Sequence, residues 1–167
     1  MSAPAEPIIR VEDVTIAYGD RVVLSGVSFE VRRGEVFVIL GGSGCGKSSL
    51  LKHLIGLRRP REGRILIDGR DVTAAEGAER RAILRSFGVM YQSGALFGSL
   101  TVHENVRLPL DELTDLAEGQ KNALALALLR RVGLAHAATR LPAELSGGMV
   151  KRAAIARALA LGPPLVF

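Results

Sequence analysis

The sequence predicts an α/β fold: a mixed sheet that opens with an antiparallel meander, joined to an α-helical part. Three observations carry that prediction. Short runs rich in Val and Ile, separated by turn residues, fill the first 40 positions. A run of apolar residues at 36–40 leads through a glycine-rich loop into a segment with helical spacing. From Gln92 the apolar pattern changes from strand to helical period and keeps it until Pro163.

In chain order, strands are expected at 8–17, 22–24, 27–31 and 36–40, with Gly19-Asp20 and Arg33-Gly34 as the turns between them. The early strands are spaced closely enough for an antiparallel meander beside a parallel sheet that contains 36–40. A helix follows at 48–55, a strand at 63–69 ending in a turn, a short helix at 79–85, and a buried strand at 87–91 leading to Gln92. Thr101 with Glu104 three residues on is the capping-box pair, and Val102, Val106 and Leu110 share the face of the helix it starts. The next helix covers 116–132, with Leu124, Leu128, Leu129 and Val132 as its apolar stripe and Lys121, Arg130 and Arg131 toward solvent. A third helix starts after Ser146 and runs through 153–159. Gly162-Pro163-Pro164 stops it, and 165–167 open a buried strand. This divides the chain into a core at 1–91, a helical subdomain at 92–161 and the start of a further core strand at 162–167.

Length and composition narrow the class. A chain of 167 residues, 48% of them apolar, can build an ordinary core. The first ten residues lack the basic start and apolar stretch of a secretory leader, and the longest apolar run, 123–129, is far short of the ~20 residues needed to cross a bilayer. Cys45 is the single cysteine, so no internal disulfide forms. His53, His103 and His136 lie far apart, without the spacing of metal ligands. The net charge of +5 draws on Arg58-Arg59-Arg61, Arg80-Arg81 and Arg130-Arg131. Those clusters are not interleaved with stacking aromatics, which disfavours nucleic acid as a partner; a bound nucleotide or anionic lipid headgroups account for the excess better.

The most specific feature is Gly41-Gly42-Ser43-Gly44-Cys45-Gly46-Lys47-Ser48, a full match to G-x-x-x-x-G-K-[ST] between a strand-like run and a helix. That context predicts a P-loop NTPase core. Small residues at a helix start let backbone N–H groups wrap a triphosphate, and the helix dipole adds favourable potential. Lys47 would reach the terminal phosphates, and the Ser48 hydroxyl would bind Mg²⁺. A second cluster, Leu145-Ser146-Gly147-Gly148-Met149, stands just before the third helix and is an anion site or, read alone, an ordinary serine cap. Cys45, inside the loop at a helix start, packs as a small residue or reacts as a stabilised thiolate.

The glycine loop, Gln92 at a strand end and the Ser146-Gly147-Gly148 signature together resemble the nucleotide-binding domain of ABC transporters over essentially the whole chain. The resemblance implies ATP and Mg²⁺ as cofactors. It implies that Tyr18 stacks on adenine, that 41–48 with Ser49 hold the phosphates, and that Gln92 touches Mg²⁺ and the attacking water. It further implies that Ser146, Gly147 and Gly148 contact the γ-phosphate held by a second subunit in a head-to-tail homodimer, with a transmembrane permease as further partner and a place on the cytoplasmic face of the membrane. Lys47 and Gln92 are then the catalytic candidates, and Ser48 and Gln92 the metal ligands. Gln92-Ser93-Gly94-Ala95-Leu96-Phe97 and Pro142-Ala143-Glu144-Leu145-Ser146-Gly147-Gly148-Met149, followed by Lys151-Arg152-Ala153-Ala154, narrow the resemblance to Mla-type phospholipid transport ATPases. DNA-repair and chromosome-structuring ATPases share both motifs but resemble this chain less, since no coiled coil or cysteine pair lies between Ser48 and Ser146.

The family's aspartate for Mg²⁺ and glutamate general base follow the strand that 165–167 open, so neither is in the sequence, and nor is its γ-phosphate histidine. The expectation is a core incomplete at its C-terminus, either part of a whole transporter ATPase or a product that binds nucleotide with little or no hydrolysis. A parallel sheet without its later strands exposes apolar faces and an unpaired edge. Residues 1–167 expressed alone are therefore expected to be poorly soluble or partly folded, and a cooperative, monomeric thermal melt of the purified polypeptide would contradict this.

Overall fold

A computed structural model describes residues 6–167. The chain forms two compact units, the first ending at Leu84 and the second spanning Arg85–Phe167.

The first unit is built on an antiparallel sheet of order β2-β1-β3-β4, from β1 (Ile9–Tyr18), β2 (Arg21–Val31), β3 (Glu62–Ile67) and β4 (Arg70–Asp71). Val11, Val14, Ile16, Ile65 and Ile67 are fully buried and supply its core, with the register shift between Val11 and Val14 interrupting the alternation of β1. The two segments expected at 22–24 and 27–31 are one strand. Gly26, at φ +62°, lets the chain bulge without leaving the ladder, and the β1–β2 register shifts around it. Gly63 is required by close approach: a Cβ there would run into the Glu12 and Asp13 carbonyls of β1.

The run at 36–40 is not a strand. Among the described residues no ladder partner is assigned to it, and Val36 and Leu40 are 90% and 86% exposed. Its residues have strand-forming side chains, but a strand exists only where a neighbour takes its backbone hydrogen bonds. One of them is anchored: Phe37 stacks on Phe29 of β2 with ring centroids 5.0 Å apart.

The helix after the glycine loop is α1 (Lys47–Leu54), and α2 (Gly77–Arg85) follows β4. The α1 helix ends in a turn closed by Gly56 at φ +69°, where the Leu57 and Arg58 N–H groups donate to the Lys52 carbonyl.

The second unit contains β5 (Phe87–Gly88), α3 (Val102–Leu113), α4 (Glu118–Arg131), α5 (Gly147–Ala158) and β6 (Leu165–Val166). Strands β5 and β6 pair in parallel, and the Met90 N–H donation to the Phe167 carbonyl extends that pairing. The three helices enclose Val102, Val106, Ala125, Leu129, Leu134, Ala153 and Ala156. The α3 cap is as expected: the Thr101 N–H donates to Glu104 Oε2 at 2.7 Å, and the Glu104 N–H to Thr101 Oγ1 at 3.2 Å. In α4 the expected stripe holds at Leu128, Leu129 and Val132, which lie in or against the core, and differs only at its start. Ala125 and Leu129 face the core while Leu124 is 43% exposed, and the Lys121 side chain is only 12% exposed because its ammonium turns inward to Asp111 and Glu118. The alternating Ala-Leu sequence offers two possible faces, and packing against α3 selects the one carrying Ala125.

Two carboxylates in this unit are held below their ordinary range. Hydrogen bonds from the Thr101 backbone and hydroxyl lower Glu104, and the guanidinium of Arg107, assisted by Lys121, lowers Asp111. A depressed folded pKa contributes stability above the unfolded carboxylate value of about 4 and loses it as pH falls through the folded value. Thermal melts should therefore show the helical unit destabilised progressively below about pH 4. An Asp111→Asn variant should lose stability at pH 7 and flatten that acid limb; an unchanged limb would contradict the assignment.

Candidate nucleotide-binding site

In the first unit the loop residues Gly41, Gly42, Ser43, Gly44 and Cys45 are exposed and precede α1, which begins at Lys47 with Gly46 as its N-cap. Two glycines adopt left-handed backbone that other residues resist, Gly44 at φ +80° and Gly46 at φ +98°. A Cβ at Gly42 or Gly44 would meet nothing within 4 Å, so no side chain crowds the loop at those two positions. Gly46 has no side chain to cap the helix, and the first N–H groups of any α-helix lack an acceptor within it. These donors, on a loop without side-chain bulk, suit an anion carrying several oxygens.

Lys47 lies folded over the loop. Its ammonium donates to the Gly41 and Gly42 carbonyls, each at 2.7 Å, and approaches Cys45 Sγ at 3.6 Å. The ammonium closes the turn that the glycines open, and it stands where phosphate oxygens could replace the two carbonyls as acceptors. The Ser48 hydroxyl is in the first turn of α1 with the residue exposed, which fits a hard cation at the phosphates.

The fold brings Tyr18 to the same helix. Its hydroxyl donates to Ser49 Oγ at 3.3 Å, and the Arg58 guanidinium lies 5.1 Å from its ring centroid. Tyr18 is 37% exposed, leaving ring surface for a planar ligand. His53 is a packing histidine, 2% exposed, with Nδ1 2.7 Å from the Ser49 carbonyl. No cluster of His, Cys, Asp or Glu suited to a metal occurs among the described residues.

In the second unit Gln92 is exposed in a turn closed by the Gly94 N–H on the Tyr91 carbonyl at 2.8 Å. Ser146 caps α5, its Oγ accepting from the Met149 N–H at 3.4 Å, and Gly147 and Gly148 form the first turn. A Cβ at either glycine would meet nothing within 4 Å, so apart from the Ser146 cap the first turn of α5 is also bare.

Three organising residues were missed in the sequence. Arg58 backs Tyr18 from beyond the α1 turn. Asn105, fully buried, accepts from the Phe97 N–H at 2.7 Å and donates among the carbonyls of Phe97, Leu100 and Thr101. Arg157 of α5 binds the backbone beyond Gln92. The last two left a signal: a polar residue at a core-facing position of a helix otherwise apolar on that side.

The sequence pattern of the ABC transporter family matches residues 24–167, and the chain belongs to that family. It is 41% identical over 160 residues to the intermembrane phospholipid transport system ATP-binding protein MlaF of Haemophilus influenzae, covering 96% of this chain and 61% of that protein. It is 43% identical to the methionine import ATP-binding protein MetN of Rhizobium johnstonii, covering 99% of this chain and 46% of that one. The chain thus spans between about half and three fifths of these relatives. Among solved structures it resembles the dimeric ATP-binding cassette MJ0796 in a post-hydrolysis state bound to ADP and Pi, at TM-score 0.86 and 34% identity, covering 95% of this chain and 72% of that one.

The exposed thiol within the loop provides a probe of the site. Saturating Mg-ATP should strongly slow alkylation of Cys45 by iodoacetamide, and the alkylated protein should no longer bind ATP. Unhindered labelling in the presence of nucleotide would place the ligand elsewhere.

Proposed function

We propose that this chain is the ATP-binding part of an ABC transporter ATPase subunit whose nucleotide cycle drives phospholipid movement between membranes. The observation that carries the reading is the loop at 41–48, with left-handed glycines, a bare helix start and the Lys47 ammonium on its rim. The similarity to MlaF supports phospholipid as cargo. No helix among the described residues is long and apolar enough to cross a membrane. The proposed arrangement, which the similarity to MlaF supports, is a peripheral subunit on the cytoplasmic face, coupled to a separate permease.

Backbone N–H groups at the start of α1 take phosphate oxygens, and Lys47 exchanges the Gly41 and Gly42 carbonyls for the terminal phosphates. Ser48 would hold Mg²⁺, which would neutralise charge on the phosphates; Gln92 is proposed as a metal-contacting residue carried by the second unit. Tyr18 stacks on the base through its open face. Ser146, Gly147 and Gly148 present a second helix start to the γ-phosphate of a nucleotide held by a second copy, so each site is completed head to tail. The dimeric state of MJ0796 supports that arrangement.

Isothermal titration with ATP tests the reading directly. Lys47→Ala should weaken binding by about two orders of magnitude, because charge-assisted hydrogen bonds worth roughly 1.5–3 kcal/mol each are lost. Equal affinity in the folded variant would end the nucleotide assignment. Phospholipid transfer between vesicles, supported by the native subunit with its permease and lost on the same substitution, tests the cargo.

A further inference from the structure

Tyr18 closes β1 at a hairpin whose turn, Gly19 at φ +58° and Asp20, sets it opposite Arg21. It stands beyond the part of β1 that β3 accompanies, since that ladder reaches only Thr15. The ladder fixes the backbone there and leaves the ring to be held by side chains. Ser49 in the first turn of α1 accepts from the Tyr18 hydroxyl at 3.3 Å, and the Arg58 guanidinium lies over the ring, 5.1 Å from its centroid. Both holding groups belong to the helix that starts at the glycine loop or to the turn that ends it.

The turn carrying Arg58 is itself clamped. Gly56 is buried in left-handed backbone, and a Cβ there would lie 2.9 Å from Val72 Cγ1. Its carbonyl accepts from Arg80 Nη2 of α2 at 2.5 Å, and the following N–H groups of Leu57 and Arg58 donate to the Lys52 carbonyl at 2.9 and 3.3 Å. Arg59 pairs with Glu76, just ahead of α2, at 2.7 Å. Arg58, Arg59 and Arg80 all line the cavity between this turn and the start of α2. Arg59 and Arg80 are engaged with Glu76 and the Gly56 carbonyl, and Arg58 is the one that reaches Tyr18. A cation–π contact between exposed groups adds little to folding, so this one matters through the orientation it gives the ring.

We propose that Arg58 is a positioning residue for Tyr18, holding the ring from one face so that its exposed surface stands ready for the base of a nucleotide whose phosphates lie at the start of α1. This rests on the nucleotide reading of the loop. A ring already fixed gives up less rotamer freedom when a planar base stacks on it, so the same contact yields tighter binding. The flat guanidinium suits the task because it stacks on the ring as well as bringing charge to it. A lysine ammonium keeps the charge and loses the stacking plane.

The share of the base is read by comparing ATP with inorganic tripolyphosphate, each titrated into the native subunit in excess Mg²⁺. The ratio of the two affinities cancels any change confined to phosphate binding. Arg58→Met should lower that ratio roughly two- to fivefold, the range to which a cation–π contact at an exposed site corresponds. Tyr18→Leu should lower it at least as far, and adding Arg58→Met to Tyr18→Leu should lower it no further. Arg58→Lys should retain part of the ratio. A folded Arg58→Met with the wild-type ratio would overturn the proposal, as would a raised ratio, the mark of a guanidinium that blocks the ring, or losses that add in the double variant. Should the methionine variant not fold, Arg58→Gln is read in the same way. Loss of both ligands in Lys47→Ala beside an unchanged ratio in Arg58→Met would keep the nucleotide site and remove only this inference. Retained binding of both in Lys47→Ala would remove the site on which it rests.

Discussion

A helix start stripped of side chains is the constraint on which the proposed site depends. An α-helix always leaves its first N–H groups without acceptors, and most helices cover them with a serine, threonine or aspartate cap. At α1 the capping position is Gly46, which contributes no side chain and can adopt φ +98°. Gly44 at φ +80° turns the preceding chain so that the loop lies open above those donors. Lys47 then holds the loop in shape by donating to two of its carbonyls. A cap residue at 46 would satisfy the donors internally and leave little for an anion to gain.

The same device appears in weaker form at α5. Ser146 does cap that helix, at 3.4 Å, but Gly147 and Gly148 leave the first turn bare. The two helix starts differ in what stands behind them. Tyr18, Ser49 and Arg58 surround α1 with groups suited to a base. Behind the start of α5 lie an alanine-rich stripe and one guanidinium committed to backbone carbonyls.

Much of the fold was legible because its signals are local. The glycine loop, the Thr101-Glu104 capping box and the proline-marked end of the third helix each depend on residues within a few positions of one another. The errors share a different cause. The run at 36–40 has strand character, but strands are pairwise objects, and no partner is assigned to it among the described residues. Only the start of the α4 stripe was misplaced, at Leu124, because alternating Ala and Leu defines two faces there and contact with α3 chooses between them. Arg58 and Arg157 were overlooked because each acts on a ring or backbone distant in sequence.

By itself the sequence determined which chemistry is available: a lysine, a serine and glycines at fixed offsets on a helix start, whose meaning requires no distant contact. It also determined the class of fold, since period and turn residues are properties of short segments. Tertiary structure decided which groups are committed and which are free. Through packing, Lys121 became an inward ion-pair partner, Tyr18 acquired an arginine on one face, and the Gln92 turn became attached to α5. The physical reason is that burial and charge pairing depend on neighbours far along the chain, whereas helix starts, caps and glycine turns carry their neighbours with them.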